Sequence, residues 1–122
     1  MSMFSIDFQT RMPIYEQIVN QVEKYIVLGL LKANEQLPSV RQVAFDLGIN
    51  PNTIQRAYAE LERKGVIVSV VGKGTFVSDK TDEVVKDKID DIIDSISENI
   101  TILKSLGLSD KEIKNKILKD QE

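Results

Sequence analysis

Residues 48–65 run Gly-Ile-Asn-Pro-Asn-Thr-Ile-Gln-Arg-Ala-Tyr-Ala-Glu-Leu-Glu-Arg-Lys-Gly, and they spell one short helix from cap to stop. Asn50 is a capping side chain and Pro51 stands at the first helical position, where a missing N–H costs nothing. Ile54, Ala57, Tyr58 and Leu61 follow at the i, i+3, i+4, i+7 spacing of a single buried face. Lys64-Gly65 supplies a cationic last turn and then a left-handed terminator. The remaining face carries Asn52, Thr53, Gln55, Arg56 and Arg63, all polar.

Upstream, Leu37-Pro38-Ser39-Val40-Arg41-Gln42 reads as another helix start. Ser39 caps it, and Gln42 is placed three residues on to return a bond to the cap. Val43, Ala44 and Leu47 point inward, and Gly48 ends this helix and turns the chain into the next. Downstream the period changes. Val66 to Val71 is β-branched and strand-like, Gly72-Lys73-Gly74 is a turn, and Thr75-Phe76-Val77 is a second strand. Before these, Pro13 opens a helix with Ile14, Ile18, Val22, Tyr25 and Ile26 inward, stopping near Leu28-Gly29. Residues 4–8 alternate apolar and polar, as a short strand or an extended lead-in would. Phe4, Phe8 and Tyr15 read as packing groups, and Tyr58 as core with its hydroxyl at the rim.

From Thr81 the helical period returns. Val85, Ile89, Ile92, Ile96, Ile100 and Leu103 step by three or four until Gly107. Ser109 and Glu112 then form a capping box before a last helix with Ile113, Ile117 and Leu118 on one stripe. The fold class is mainly α with a small β-hairpin: a winged helix-turn-helix over 1–78 and a two-helix tail over 79–122. The recognition helix covers about 50–64 and the wing about 70–77.

Composition narrows the function. With 122 residues the chain fits one small domain plus an appendage, and 42% hydrophobic with 29% charged residues is ordinary globular composition. Cysteine and histidine are both absent, so thiolate zinc sites, disulfides and the commonest general base are excluded. No apolar run reaches the roughly 18 residues of a membrane span, and the N-terminus lacks the order of a signal peptide. The expected setting is the cytoplasm, with no cofactor. The net charge of −3 is uneven. Acidity gathers after Ser78, and Asp87, Asp90, Asp91, Asp94 and Glu98 fall between apolar positions as solvated charges, not as a catalytic or metal cluster. Phosphate attraction is local at physiological salt, so a near-neutral first part can bind DNA if its cations converge.

The polar face of the 50–64 helix has the chemistry for this. A helix fits the major groove, and the side chains near its N-terminus reach base edges. Asn and Gln pair with adenine and Arg with guanine in bidentate fashion. The free N–H groups from Asn50 to Thr53 suit a phosphate. Arg41, in a first turn where a cation does not help the helix dipole, is placed for a phosphate or groove-edge base, with Ser39 beside it. Gly72 and Gly74 allow close backbone approach, and Lys73 between them reaches phosphate or minor groove. Arg63 and Lys64 are set aside as helix-terminal charges.

Leu37 to Arg41, Gly48 to Tyr58, Leu61 to Gly65 and Gly72 to Val77, in that order, resemble the GntR family of bacterial regulators. The Asn-Pro-Asn-Thr-Ile-Gln-Arg segment and the short helical tail resemble its YtrA-like subfamily. The resemblance is strong over about 12–78 and rests on length and pattern in the tail. It implies a homodimer on a palindromic, double-stranded operator, acting as a repressor, and carries DNA contact onto Arg41, Asn52, Thr53, Gln55, Arg56 and Gly72 to Gly74. Two positions depart. Ala33-Asn34 replaces a frequent Pro-Gly, a change Asn tolerates in left-handed geometry. Pro51 replaces a frequent arginine, so one base contact is missing and the operator sequence does not transfer.

The tail stripe (Val85, Ile89, Ile92, Ile96, Ile100, Leu103, Ile113 and Ile117) is the expected dimerisation surface. A helix of about 24 residues spans roughly 36 Å, more than one small domain face covers. Two tail helices do not enclose a metabolite pocket of a few hundred Å³ within one chain. A small-molecule effector would sit between tail and winged helix or at the dimer interface. The alternative function is a protein-interaction module built on a winged-helix scaffold. Against it stands the polar character of Asn52, Gln55 and Arg56, since protein hot spots favour aromatics.

Overall fold

A computed structural model describes residues 2–119, which form two compact units that divide between Lys86 and Asp87. The helices are α1 (Ile14–Val27), α2 (Val40–Leu47), α3 (Pro51–Arg63), α4 (Thr81–Ser105) and α5 (Asp110–Leu118). The strands are β1 (Gln36–Leu37), β2 (Ile67–Val70) and β3 (Gly74–Val77). They make an antiparallel sheet in the order β1-β3-β2. The third strand, β1, is a departure from the expected hairpin. Two residues are too few to show an alternating pattern, and only pairing with Phe76 and Thr75 defines them.

In the first unit α1, α2 and α3 pack around a core of Ile18, Val22, Val43, Ile54 and Leu61, closed from the sheet side by Leu37, Ile67 and Val77. Each such side chain contributes about 1.5–3 kcal/mol by leaving water. Val84, in the first turn of α4, is buried in the same core, and Val85 is half-buried against it.

The turn between α2 and α3 needs a left-handed residue. Gly48 supplies it at φ 64°, and the Ile49 N–H closes back on the Ala44 carbonyl at 3.0 Å. Asn34 adopts the same region at φ 67°, and its N–H donates to the Val77 carbonyl at 2.9 Å. The turn therefore survives without the glycine that the resemblance led one to expect.

Residues 3–7 are an extended lead-in, not a strand. Their hydrogen bonds go to amide side chains of α1. Gln17 Oε1 accepts from the Asp7 N–H at 2.9 Å while Gln17 Nε2 donates to the Asp7 carbonyl at 2.9 Å. Gln21 does the same for Ser5, at 3.0 and 2.6 Å. Phe4 is thereby held in the core, but Phe8 is 72% exposed, which corrects its reading as a packing group. The physical reason is local: Asp7 Oδ1 accepts from the Gln9 N–H at 2.9 Å, ending the extended stretch in a series of bends over 8–12 that starts at Phe8.

Of the two expected capping boxes, that of α5 is closed in both directions between Ser109 and Glu112. That of α2 is half made. Ser39 Oγ accepts from the Gln42 N–H at 3.1 Å, while Gln42 Nε2 turns down the helix to Asp46 Oδ1 at 2.7 Å. The i, i+4 acidic partner outcompetes the cap.

In the second unit Ile113 of α5 is buried, and an open apolar groove of about 380 Å³ runs between Ile96, Ile100, Ile113 and Ile117.

Candidate nucleic-acid interface

The recognition segment divides cleanly. Ile54, Ala57, Tyr58 and Leu61 of α3 are buried, whereas Asn52, Gln55 and Arg56 are exposed and Thr53 is half-buried. The Tyr58 hydroxyl donates a hydrogen bond to the Pro38 carbonyl at 2.6 Å, tying α3 to the residue before the α2 cap. Burial pushes its phenol well above the usual tyrosine range. Asn50 serves the helix: its Oδ1 accepts from the Asn52 N–H at 2.8 Å. Its side-chain oxygen is thus committed to the cap.

Ser39 is likewise a cap, exposed at the start of α2, with Arg41 exposed one residue into the helix. At the other end of α3, Arg63 Nε lies 3.0 Å from Glu60 Oε2 with a second bond beside it. That arginine holds the Glu60 carboxyl below its ordinary range. Lys64 Nζ sits 2.9 Å from Glu23 Oε2, a carboxylate on α1 that is 5% exposed. Both late cations are engaged within the chain. Among the described residues Arg41, Arg56 and Lys73 make no ion pair, which leaves their charge available.

Arg56 is not loose. Its guanidinium lies over the ring of Tyr15 on α1, 3.8 Å from the centroid. Pro13, Ile14, Tyr15, Asn52, Thr53 and Arg56 line a shallow hollow of about 360 Å³ between the N-terminal ends of α1 and α3. Tyr15 packs against the core as its sequence context suggests, but its contact with Arg56 was not legible there, because it joins residues 41 positions apart with no local signature.

The wing tip has its own hidden support. Gly72, Lys73 and Gly74 are exposed, and the Lys73 N–H closes the turn on the Val70 carbonyl at 3.0 Å. Gln36 of β1 donates through Nε2 to the Lys73 carbonyl at 3.2 Å. A Cβ on Gly74, whose φ is +123°, would meet Gln36 Nε2 at 2.7 Å. Gln36 is a second residue the sequence did not reveal, since β1 itself was not foreseen.

In the tail, Ile89, Ile92 and Ile96 are about half exposed, at 48, 50 and 49%, and Ile117 is 43% exposed. Ile93, Ile102 and Leu106 are exposed too, outside the expected stripe. Ile100 and Leu103 are half-buried, while Val85 and Ile113 are taken up by packing within their own units. Among the described residues no group of three or more carboxylates could hold a metal ion, and no helix is long and apolar enough to cross a membrane.

An uncovered polar helix face, a tight glycine turn and a basic wing define a winged helix-turn-helix of the DNA-binding class. The signature described as "Bacterial regulatory proteins, gntR family" matches residues 14–77. The chain belongs to this family of transcription regulators, which are not enzymes. It is 44% identical over 77 residues to the HTH-type transcriptional repressor YtrA of Bacillus subtilis, covering 63% of this chain and 59% of that one. The uncharacterized HTH-type regulator YhcF of the same organism is 39% identical over 107 residues, covering 87% of this chain and 88% of that one. The crystal structure of a transcriptional regulator from Oenococcus oeni superposes with a TM-score of 0.80 at 36% identity, covering 95% and 96% of the two chains. The DNA-binding domain of AraR in complex with operator ORX1 is a more distant neighbour, at TM-score 0.55 and 26% identity over 62% of this chain and 96% of that one.

Proposed function

We propose that the chain is a sequence-specific repressor that binds a palindromic operator as a homodimer. The observation that carries this is the division of α3. One side is sealed into the core and the other leaves Asn52, Gln55 and Arg56 uncovered, with a capped N-terminus beside them. A rigidly seated helix with bidentate donors and acceptors near its N-terminus suits the major groove. Arg41 and Lys73 supply phosphate contacts, and the wing reaches the backbone or minor groove. The operator complex of AraR supports this mode of binding, and the repressor YtrA supports the direction of control.

A second copy is called for by the tail. α4 has 25 residues, about 37 Å at the helical rise, and exposes isoleucines along it. Left in water such a surface is an aggregation hazard, and covering it with the same surface of a partner gives the two-fold symmetry a palindrome requires. In this reading residues 79–122 are the dimerisation segment, the protein works in the cytoplasm, and an effector would act at the dimer interface or between tail and winged helix.

Selection of bound duplexes from random DNA, followed by binding over a salt series, tests the proposal. A recovered palindrome with affinity falling steeply as salt rises is expected. Recovery of no preferred sequence would overturn operator recognition and favour a protein-interaction role for the same surface.

A further inference from the structure

We infer that Tyr15 of α1 is a positioning residue for base recognition: its ring fixes the guanidinium of Arg56 so that selectivity is set by α1 and α3 together. This rests on the operator-binding function proposed above. The stack at 3.8 Å occupies the flat face of the guanidinium. The N–H donors of that group lie in its plane and point outward from the edge, so stacking and base pairing do not compete. Among the described residues Arg56 makes no ion pair and no side-chain hydrogen bond, and its fork is unspent.

The geometry addresses a real cost. An exposed arginine samples many rotamers, and ordering it on the DNA consumes part of what the base contact returns. A side chain already parked on an aromatic face has met much of that cost before binding. Tyr15 is well placed to hold it, being half-buried on a helix that packs directly against α3. Both residues border the hollow that also contains Asn52 and Thr53, the side chains nearest the helix N-terminus. The ring is therefore next to the reading face rather than remote from it. The Tyr15 hydroxyl has no hydrogen bond among the described residues, so the aromatic ring alone is what the arrangement uses.

The test is a double-mutant cycle on the full chain, with the duplex selected by the wild-type protein and a random-sequence duplex as probes. Tyr15→Phe keeps the ring and should hold the ratio of selected to random affinity within about 2-fold. Tyr15→Leu keeps apolar packing and removes the ring, and should lower that ratio by about 2- to 5-fold. On an Arg56→Ala background Tyr15→Leu should change it no further. Equal losses with and without Arg56, or no loss for Tyr15→Leu, would overturn the inference while leaving operator binding intact. A wild-type protein without any selected sequence would instead remove the functional reading beneath it. A readout independent of DNA accompanies the cycle. The side-chain NMR signals of Arg56 should carry a ring-current shift in the wild type and in Tyr15→Phe, lost in Tyr15→Leu. An unshifted wild-type signal would also overturn the stack.

Discussion

Lys64 closes α3 by reaching across to Glu23 of α1, where one carboxylate oxygen is paired at 2.9 Å and the other, Oε1, is buried with no hydrogen-bond partner among the described residues. Half of that carboxylate therefore depends wholly on its neighbour. Breaking a buried pair by removing one member costs about 3–5 kcal/mol, less where water still reaches the cation, as it does at Lys64. Lys64→Ala should thus lower stability by about 2–3 kcal/mol in denaturant unfolding, whereas Lys73→Ala, at the exposed wing tip, should leave it within about 0.5 kcal/mol. On DNA the ranking reverses. Lys73→Ala should weaken all duplexes alike and reduce the salt slope by about one, which binding at several ionic strengths would show. Arg56→Ala should instead cost about 1–3 kcal/mol on the selected operator with little change on random DNA. Tyr58→Phe leaves the Pro38 carbonyl without its donor and should cost about 1–2 kcal/mol of stability. The phenol is held above its ordinary value in the fold, so stability should begin to fall once the pH rises past about 10, where the unfolded chain ionises first.

At the scale of elements, the wing and the last helix each depend on one small device. β3 starts at Gly74, whose φ of +123° strains any L side chain and whose added Cβ would push aside the Gln36 amide. Gly74→Ala should cost about 1–3 kcal/mol through backbone strain and should also weaken DNA binding by displacing the Lys73 turn, both measurable on one preparation. α5 starts at a reciprocal cap in which the Glu112 carboxylate accepts from the Ser109 N–H at 3.1 Å. That bond, with the Ser109 hydroxyl's contribution, holds Glu112 below its ordinary range. The fold then binds this proton less readily than the unfolded chain does. The cap's contribution is complete above the ordinary glutamate value and is lost as pH falls through the lowered one. The protection factors of the α5 amides, which remove the intrinsic pH dependence of exchange, should fall on acidification in the wild type and lose that fall in Glu112→Ala, which has no carboxylate to titrate.

For the whole molecule, the first unit runs to Lys86 because Val84 is buried in its core, so the connection to the tail is itself part of the winged-helix packing. A chain cut after Lys86 should therefore stay folded, and one cut after Ser78 should lose about 1.5–3 kcal/mol for the missing Val84 alone. Sedimentation equilibrium should show the full chain as a dimer and the chain cut after Lys86 as a monomer; a dimer in both would remove the tail from the interface. The helix boundaries, the glycine turn, the capping of α3 and α5 and the exposed polar face of α3 were all legible in residue order, because each is fixed by propensity and spacing within a few positions. What order along the chain could not display were the meetings of distant residues. β1 exists only through its pairing with β3, Gln36 reaches the wing through that pairing, Tyr15 meets Arg56 only because α1 packs on α3, and Phe8 is exposed at the bend that follows the Asp7 turn. Local signals settle which segments are helix or strand; the fate of a particular side chain is decided by which surfaces the packed elements bring within a few ångströms.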